Sequence, residues 1–257
     1  DSACVIPTVM VTDEALDTIR DYTRRLALAL KTVGCLNIQY AMLDGVVYVI
    51  EANPRASRTV PYVSKSTGVS WALVACQILS GQKLADMDVP DEPRLKGYFC
   101  KEVTLPFIKF PGEPTILGPE MRSTGEVMGM DESFGMAFAK AQMAAGNGLP
   151  QSGRAFLSVN DRDKGNLLPI AQQLERLGFK LVGTRGTASY LRNVGLEIET
   201  VLKVSEGRPN GVDLIINQEI DLIINTPLGS RSFGDEHILR QVAVAHGVPM
   251  LTTLSGA

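Results

Sequence analysis

An aspartate-glycine pair, Asp44-Gly45, sits between two short runs of alternating apolar residues and commits residues 36–58 (LNIQYAMLDGVVYVIEANPRASR) to a β-hairpin. Both residue types tolerate the left-handed backbone that tight turns need. Pro54 ends the second strand because it has no amide proton to give to a sheet. Side chains alternate across a strand, so Glu51 and Asn53 share a face. Register decides whether Gln39 joins them. A two-residue turn at Asp44-Gly45 pairs Gln39 with Ile50 and sends it to the opposite face. A three-residue loop over 44–46, with Gly45 left-handed as a bulge, pairs Gln39 with Glu51 instead. The second register is expected. It gathers a carboxylate and two amide oxygens on one face, with Arg55 and Arg58 just past the strand end.

That donor set suits a hard cation together with a polyphosphate. Magnesium takes oxygen ligands, usually one or two protein carboxylates, and lets phosphates and water complete its octahedron. Arginine forks neutralise the remaining phosphate oxygens. The same alternation also describes a solvated strand face whose polar residues interleave with core residues, and spacing alone leaves both readings open.

Glu51-Ala52-Asn53-Pro54-Arg55, with Arg58 and the upstream Gln39, resembles the metal hairpin of ATP-grasp ligases. The longer text is similar to the large-subunit family of carbamoyl-phosphate synthetases. Residues 1–4 (DSAC), 51–61 (EANPRASRTVP), 101–106 (KEVTLP) and 117–129 (LGPEMRSTGEVMG) match segments of that family in its order. The resemblance covers nearly the whole chain. It implies ATP as cosubstrate and Mg2+ or Mn2+ as metal, held by Gln39, Glu51 and Asn53, with Gln39 and Glu51 at the nucleotide. Arg55 and Arg58 would then stabilise charge on the transferring phosphoryl group. The family reaction makes carbamoyl phosphate from bicarbonate, glutamine-derived ammonia and two ATP, for pyrimidine and arginine biosynthesis. The implied partners are a small glutaminase subunit and the upstream remainder of the large subunit, in the cytoplasm. The chain starts at Asp1 and reads as a fragment whose adenine-binding half lies upstream, so it is expected to turn over no ATP alone.

Bulk properties set broader bounds. A length of 257 residues suits one large or two small domains, and 45% hydrophobic with 21% charged residues is ordinary for a globular chain. A net charge of −3 gives no electrostatic reason to expect nucleic acid or an anionic membrane as partner. Apolar runs such as 26–30 and 46–50 fall far short of a membrane span. Cys4, Cys35, Cys76 and Cys100 form no CxxC pair, and with only His237 and His246 available they read as buried reduced thiols rather than zinc ligands.

Along the chain, residues 12–34 read as a helix, with acidic Asp13 and Glu14 at its start and a core-facing stripe of Leu16, Ile19, Leu26, Leu30 and Val33. Arg20, Arg24 and Arg25 read as its solvated face. A second helix is expected over 71–79 with an apolar side to the core, a strand over 96–106, a loop over 106–119, a strand over 123–128 and a helix over 131–145. The turn-rich stretch GNGLPQSG marks a linker. The expected division is 1–146, linker 147–153, then 154–257.

Beyond Arg154, expected strands at 155–159, 179–183, 197–202, 221–225 and 249–252 alternate with helices at 164–177, 187–193, 212–218 and 235–246. That order predicts a doubly wound parallel sheet. The fold class is thus α/β: a partial ATP-grasp unit (α+β, antiparallel sheet with helices), then a parallel-sheet domain. Ligands in such sheets bind beyond the carboxyl ends of the strands. Gly183-Thr184-Arg185-Gly186-Thr187 lies where a strand hands over to a helix, a ready phosphate cradle. Lys164, Lys203 and Asn225-Thr226-Pro227 follow other strands and fall on the same rim. As turn and cap residues they also have a purely structural reading.

This segment resembles the methylglyoxal-synthase-like regulatory domain of the same family, which binds nucleotide effectors of the UMP or IMP type. The resemblance implies that Lys164, Thr184, Thr187, Lys203 and Asn225 contact the effector. Pro227 stands where some members carry a hydroxyl, and residues 228–235 (LGSRSFGD) lack the aspartate-bearing segment of methylglyoxal synthase itself. Asp1 and Glu102 match acidic residues that face ornithine in some relatives, while Met250-Leu251-Thr252 replaces a more polar segment there. Two other readings compete with the ligase. In one, effector binding is the chain's only autonomous activity. In the other, an ATP-grasp carboxylase with a biotin-linked partner, residues 117–129 and the appended domain both argue against it.

Overall fold

The computed structural model describes residues 2–109, 120–226 and 230–257. They fall into two compact units, one of Ser2–Glu102 and Val127–Ala141, the other of Val103–Glu126 and Gln142–Ala257. Among the described residues no helix is long and apolar enough to cross a membrane.

The first unit begins with strand β1 (Cys4–Ile6) and helix α1 (Asp13–Ala29). Thr12 caps α1 by accepting from the amide of Ala15 at 3.3 Å, and Asp13 and Glu14 complement the positive helix start. The helix stops at Ala29, short of the expected Gly34. Lys31 adopts a left-handed backbone (φ 51°), and the amides of Lys31 and Thr32 close back on the carbonyls of Leu28 and Ala27. This is a Schellman closure with lysine where glycine is usual. In consequence Leu30 and Val33 are exposed, and only Leu16, Ile19 and Leu26 of the expected stripe are half-buried.

Strands β2 (Asn37–Leu43) and β3 (Val46–Asn53) form the hairpin. Gln39 does stand opposite Glu51, but not by way of the expected three-residue loop. Leu43 pairs with Val46, so the turn is the two-residue one, with Asp44 (φ 50°) and Gly45 (φ 78°) both left-handed. The extra residue lies deeper: Gln39 pairs with Glu51 while Tyr40 pairs with Val49, which leaves Ile50 as a bulge. A tight turn whose twist matches the strands is kept, and the register is shifted one residue later.

Helix α2 (Thr59–Thr67) was not expected. Its β-branched start and Pro61 read against a helix, yet Pro61 falls in the first turn, where a missing amide proton loses no partner. Helix α3 (Trp71–Leu79) has the expected bounds, but none of its residues is fully buried, and Leu73 and Leu79 are exposed. Strands β4 (Tyr98–Thr104) and β5 (Gly125–Asp131) complete a three-stranded sheet in the order β1-β4-β5, with β1 antiparallel to β4. Helix α4 (Phe134–Ala144) lies on it through Ala137 and Ala141, both with no exposed surface. Gly129 permits this: a β-carbon there would come within 2.2 Å of the Ala137 carbonyl oxygen.

The second unit carries β6 (Arg154–Val159), α5 (Lys164–Arg176), β7 (Lys180–Thr184), α6 (Arg185–Asn193), β8 (Ile198–Val201), α7 (Gly211–Ile216), β9 (Leu222–Thr226), α8 (Ser230–His246) and β10 (Met250–Leu251). All five strands are parallel, in the order β10-β9-β6-β7-β8. Alternate residues of β6 enter two different cores. Ala155, Leu157 and Val159 pack with Leu167, Ala171 and Leu191 of α5 and α6. Phe156 packs with Leu214, Ile215, Leu239 and Ala243 of α7 and α8. Helices therefore cover both faces, as a doubly wound sheet requires.

Tyr62 of α2 is 6% exposed and donates its hydroxyl to the Phe99 carbonyl at 2.7 Å. Burial, helped by the nearby Cys4 and Cys100 thiols, pushes its pKa well above the ordinary value. The folded state thus keeps a proton that the unfolded chain gives up, so stability present at neutral pH is lost as pH rises through about 10. Cys100, raised by burial and then by Glu102, acts with the same sign from about pH 8.5. Urea titrations across alkaline pH are expected to show this decline. Tyr62→Phe should flatten the part above about pH 10 while lowering neutral-pH stability by about 0.5–1.5 kcal/mol for the lost hydrogen bond.

Candidate functional site

In the first unit, polar groups gather at the open end of the hairpin. The bulge at Ile50 sets Gln39 directly across from Glu51, and Asn37 across from Asn53. The Asn53 amide nitrogen donates to Glu51 Oε1 at 2.9 Å, and Arg55 donates to Asn53 Oδ1 at 3.3 Å and to the Ala56 carbonyl at 3.1 Å. Arg58 occupies the N-cap position of α2. The chain reversal after Asn53 thus brings Glu51, Asn53 and Arg55 into one hydrogen-bonded cluster, with Gln39 on the paired strand.

One carboxylate and two amide oxygens form an oxygen-only donor set, which fits Mg2+ or Mn2+ when phosphate and water supply the other ligands. Among the described residues no three His, Cys, Asp or Glu side chains group together as a metal cage. Gln39 and Glu51 are exposed and Asn53 is half-buried, so a ligand has open access. Cys4, Cys35, Cys76 and Cys100 are free thiols, but only Cys100 is buried as expected; Cys4 and Cys35 are half-buried, and Cys76 is exposed on α3, none of whose side chains is fully buried in a core. Glu102 is a buried residue of β4, 9% exposed, whereas Asp1 lies outside the described residues.

The second unit holds a cavity of about 520 Å³ at the carboxyl ends of β6, β7, β8 and β9. Sheet order reverses between β9 and β6, and the loops leaving those strands diverge and open a crevice there. Lys164, Thr184, Thr187, Lys203 and Asn225 all line this one cavity. Lys164 begins α5, Thr184 ends β7 and caps α6, Lys203 follows β8, and Asn225 lies near the end of β9. Pro227 lies outside the described residues.

The hydroxyls are not equivalent. Thr187 is 1% exposed, and its oxygen accepts from the Val159 amide at 3.2 Å. It ties the start of α6 to the end of β6. Thr184 donates to Thr187 at 3.4 Å, and both line the cavity. The Lys164 ammonium lies over the first turn of α6, where a β-carbon at Gly186 would sit 3.4 Å from it. It pairs with Asp161 at 2.7 Å and, with Lys203 behind it, holds that carboxyl below the usual carboxylate range. Asp235 and Glu236 reach the cavity from α8. Asp235 accepts from Ser205 at 2.7 Å, and Glu236 accepts from Arg240. The cavity offers cations and helix amides to an anion, and carboxylates to a hydrogen-bond donor.

Asn160 escaped the sequence analysis. Its side-chain amide donates to Asp163 at 2.6 Å, to the Thr226 hydroxyl at 3.2 Å and to the Thr226 carbonyl at 3.3 Å. Its oxygen accepts from the amides of Arg162 and Asp163. One side chain therefore fastens the β6–α5 loop to the end of β9, across the reversal that opens the cavity. The only local signal is an Asn just after a strand, which reads as a turn residue.

Two family models match the chain: "Carbamoyl-phosphate synthase L chain, ATP binding domain" over residues 1–87 and "MGS-like domain" over residues 166–252. The carbamoyl phosphate synthase large chain of Archaeoglobus fulgidus is 51% identical over 258 residues, and that of Acidobacterium capsulatum 52% over 263. That of Methanobrevibacter smithii is 51% identical over 259. Each alignment takes in 100% of this chain and 24% of the relative, so the chain spans about a quarter of the length of the curated relatives it matches. Among solved structures, a methylglyoxal synthase from Elizabethkingia anophelis is similar at 19% identity and a TM-score of 0.35, over 42% of this chain and 76% of that one.

Truncating the Asn160 side chain is expected to loosen the rim. Asn160→Ala should lower stability by about 1–3 kcal/mol, because Thr226 and Asp163 lose partners in a half-buried setting. Urea denaturation of the full chain measures it, and an unchanged midpoint would show that the staple carries no load.

Proposed function

The chain belongs to the carbamoyl phosphate synthase large-chain family, and from that premise we propose that it supplies part of an ATP-dependent ligase site and a nucleotide-effector site. Residues 1–146 contribute to the carbamoyl-phosphate-forming ATP-grasp domain, 147–153 link, and 154–257 form the methylglyoxal-synthase-like regulatory domain. The whole enzyme acts with a small glutaminase subunit and the rest of its large subunit in the cytoplasm, feeding pyrimidine and arginine biosynthesis.

The observation that carries the ligase reading is the placement of Gln39 opposite Glu51. Gln39, Glu51 and Asn53 would hold Mg2+ or Mn2+. Bound there, the metal would draw charge from the phosphate oxygens of ATP and make the terminal phosphorus more electrophilic. Arg55 and Arg58, which follow the strand in sequence, would stabilise the negative charge that spreads over the phosphoryl group in transfer. The chain needs no nucleophile of its own, since a carbamate oxygen attacks the phosphorus directly. Its residues bind, orient and neutralise. Mn2+ bound with inorganic tripolyphosphate, followed by water-proton relaxation, tests the seat. Glu51→Gln is expected to weaken that binding about tenfold or more, the loss of a charged ligand, and equal binding by the two proteins overturns the metal assignment.

A second reading, effector binding without catalysis by this chain alone, has its own support: five residues from four strand ends share one cavity. Calorimetry on the full chain with UMP and IMP tests it. Micromolar binding of one of them, lost in Lys203→Ala, is the expected outcome. No heat with either nucleotide would reduce this cavity to a structural feature.

A further inference from the structure

One cation of the second unit's cavity, Lys164, is already paired within the chain itself. Asp161 Oδ1 lies 2.7 Å from Lys164 Nζ, one helical turn along. The two partners differ sharply in setting: the Lys164 side chain is 19% exposed and the Asp161 side chain 92%. Packing holds the ammonium in place over the first turn of α6, whereas nothing packs against the carboxylate.

We propose that Asp161 is a built-in competitor for the anion site, a tethered carboxylate that occupies Lys164 until a phosphate dianion displaces it. The proposal rests on the phosphate-binding reading of this cavity and deepens it by naming what sets its selectivity. An incoming anion does not meet a free ammonium. It must replace a charge-assisted hydrogen bond with a better one. A singly charged anion exchanges one negative charge for another and gains little. A phosphate monoester dianion brings more charge and three acceptor oxygens, which Lys164, Lys203 and the α6 amides receive together. Displacement costs Asp161 little, because its side chain is already in water and swings away without unpacking anything. The displaced carboxylate stays near the bound anion and repels it. Both effects weaken anion binding: the lost pair costs every anion alike, and the repulsion grows with the charge of the ligand.

Asp161 has no evident competing role at the helix start. The N-cap position of α5 belongs to Asp163, and the first turn of α5 holds no acidic residue. A purely structural Asp161 would change stability without changing anion preference.

The test is calorimetry of the full chain with inorganic phosphate, UMP and acetate, at low ionic strength and a pH where phosphate is the dianion. Asp161→Asn is expected to bind phosphate and UMP roughly two- to fivefold more tightly, the scale of an ion pair with one exposed partner. It should also widen the preference for phosphate over acetate, because the repulsion removed is larger for the dianion. In a Lys164→Ala background the same substitution should change nothing, because the contested ammonium is gone. Unchanged or weaker phosphate binding by Asp161→Asn, with the wild-type chain still binding, overturns the competitor role and leaves the phosphate site intact. If neither protein binds phosphate or UMP, the phosphate reading falls and the competitor role with it.

Discussion

Parallel pairing of β6 with both β7 and β9, with helices laid over each face, buries the central strand of the second unit on all sides, and that burial dictates where polar chemistry is allowed. Ala155, Phe156 and Leu157 are all nearly inaccessible, so the middle of β6 offers a ligand no polar side chain. Polar groups are displaced to the strand ends, where Ser158, Thr184, Asn225 and the lysines beyond them collect. The doubly wound connection adds direction. Because the chain leaves β6 toward β7 and reaches β9 on the other side, the loops part at one point, and the cavity forms there rather than elsewhere along the rim. Asn160 bridges that gap, and Thr187 ties the start of α6 to the end of β6, with hydrogen bonds that exist only when those elements are neighbours.

The hairpin of the first unit obeys a different constraint. A two-stranded ribbon is marginal by itself, and much of this one is exposed, including Leu43, Val46 and Ile50. Its precision comes from local backbone devices: two left-handed residues at the turn and one bulged residue further along. The bulge is what makes the polar cluster. Without it, the tight turn would place Gln39 beside Ile50 and separate the amide from the acid.

Sequence reading reached the outcome of that register without its cause. Asp44-Gly45 can serve either as a two-residue turn or as part of a longer loop, and no residue near Ile50 announces a bulge. The end of α1 was missed for a similar reason: lysine at position 31 gives no hint of a left-handed backbone, while Gly34 invites a longer helix. The five strands of the second unit were readable because short apolar runs between turn residues have few other uses. Residues at their ends were therefore placed by counting alone. Asn160 and Asp161 were not, since what distinguishes them from ordinary turn residues is a partner supplied by folding.

The two clusters share one further property. In each, polar groups that a ligand would engage are already hydrogen-bonded within the chain: Glu51 to Asn53 and Asn53 to Arg55 in the hairpin, Lys164 to Asp161 in the cavity. Internal bonding gives these groups partners before any ligand arrives, and it makes binding at them an exchange. The free energy of such an exchange is a difference between two sets of charge-assisted bonds, so it depends on the ligand's charge and valence more than on the number of contacts it makes. The ligands proposed above, a cation with its phosphates at the hairpin and a phosphate monoester in the cavity, would bring the charge to tip that difference, which neutral ligands of similar shape would not.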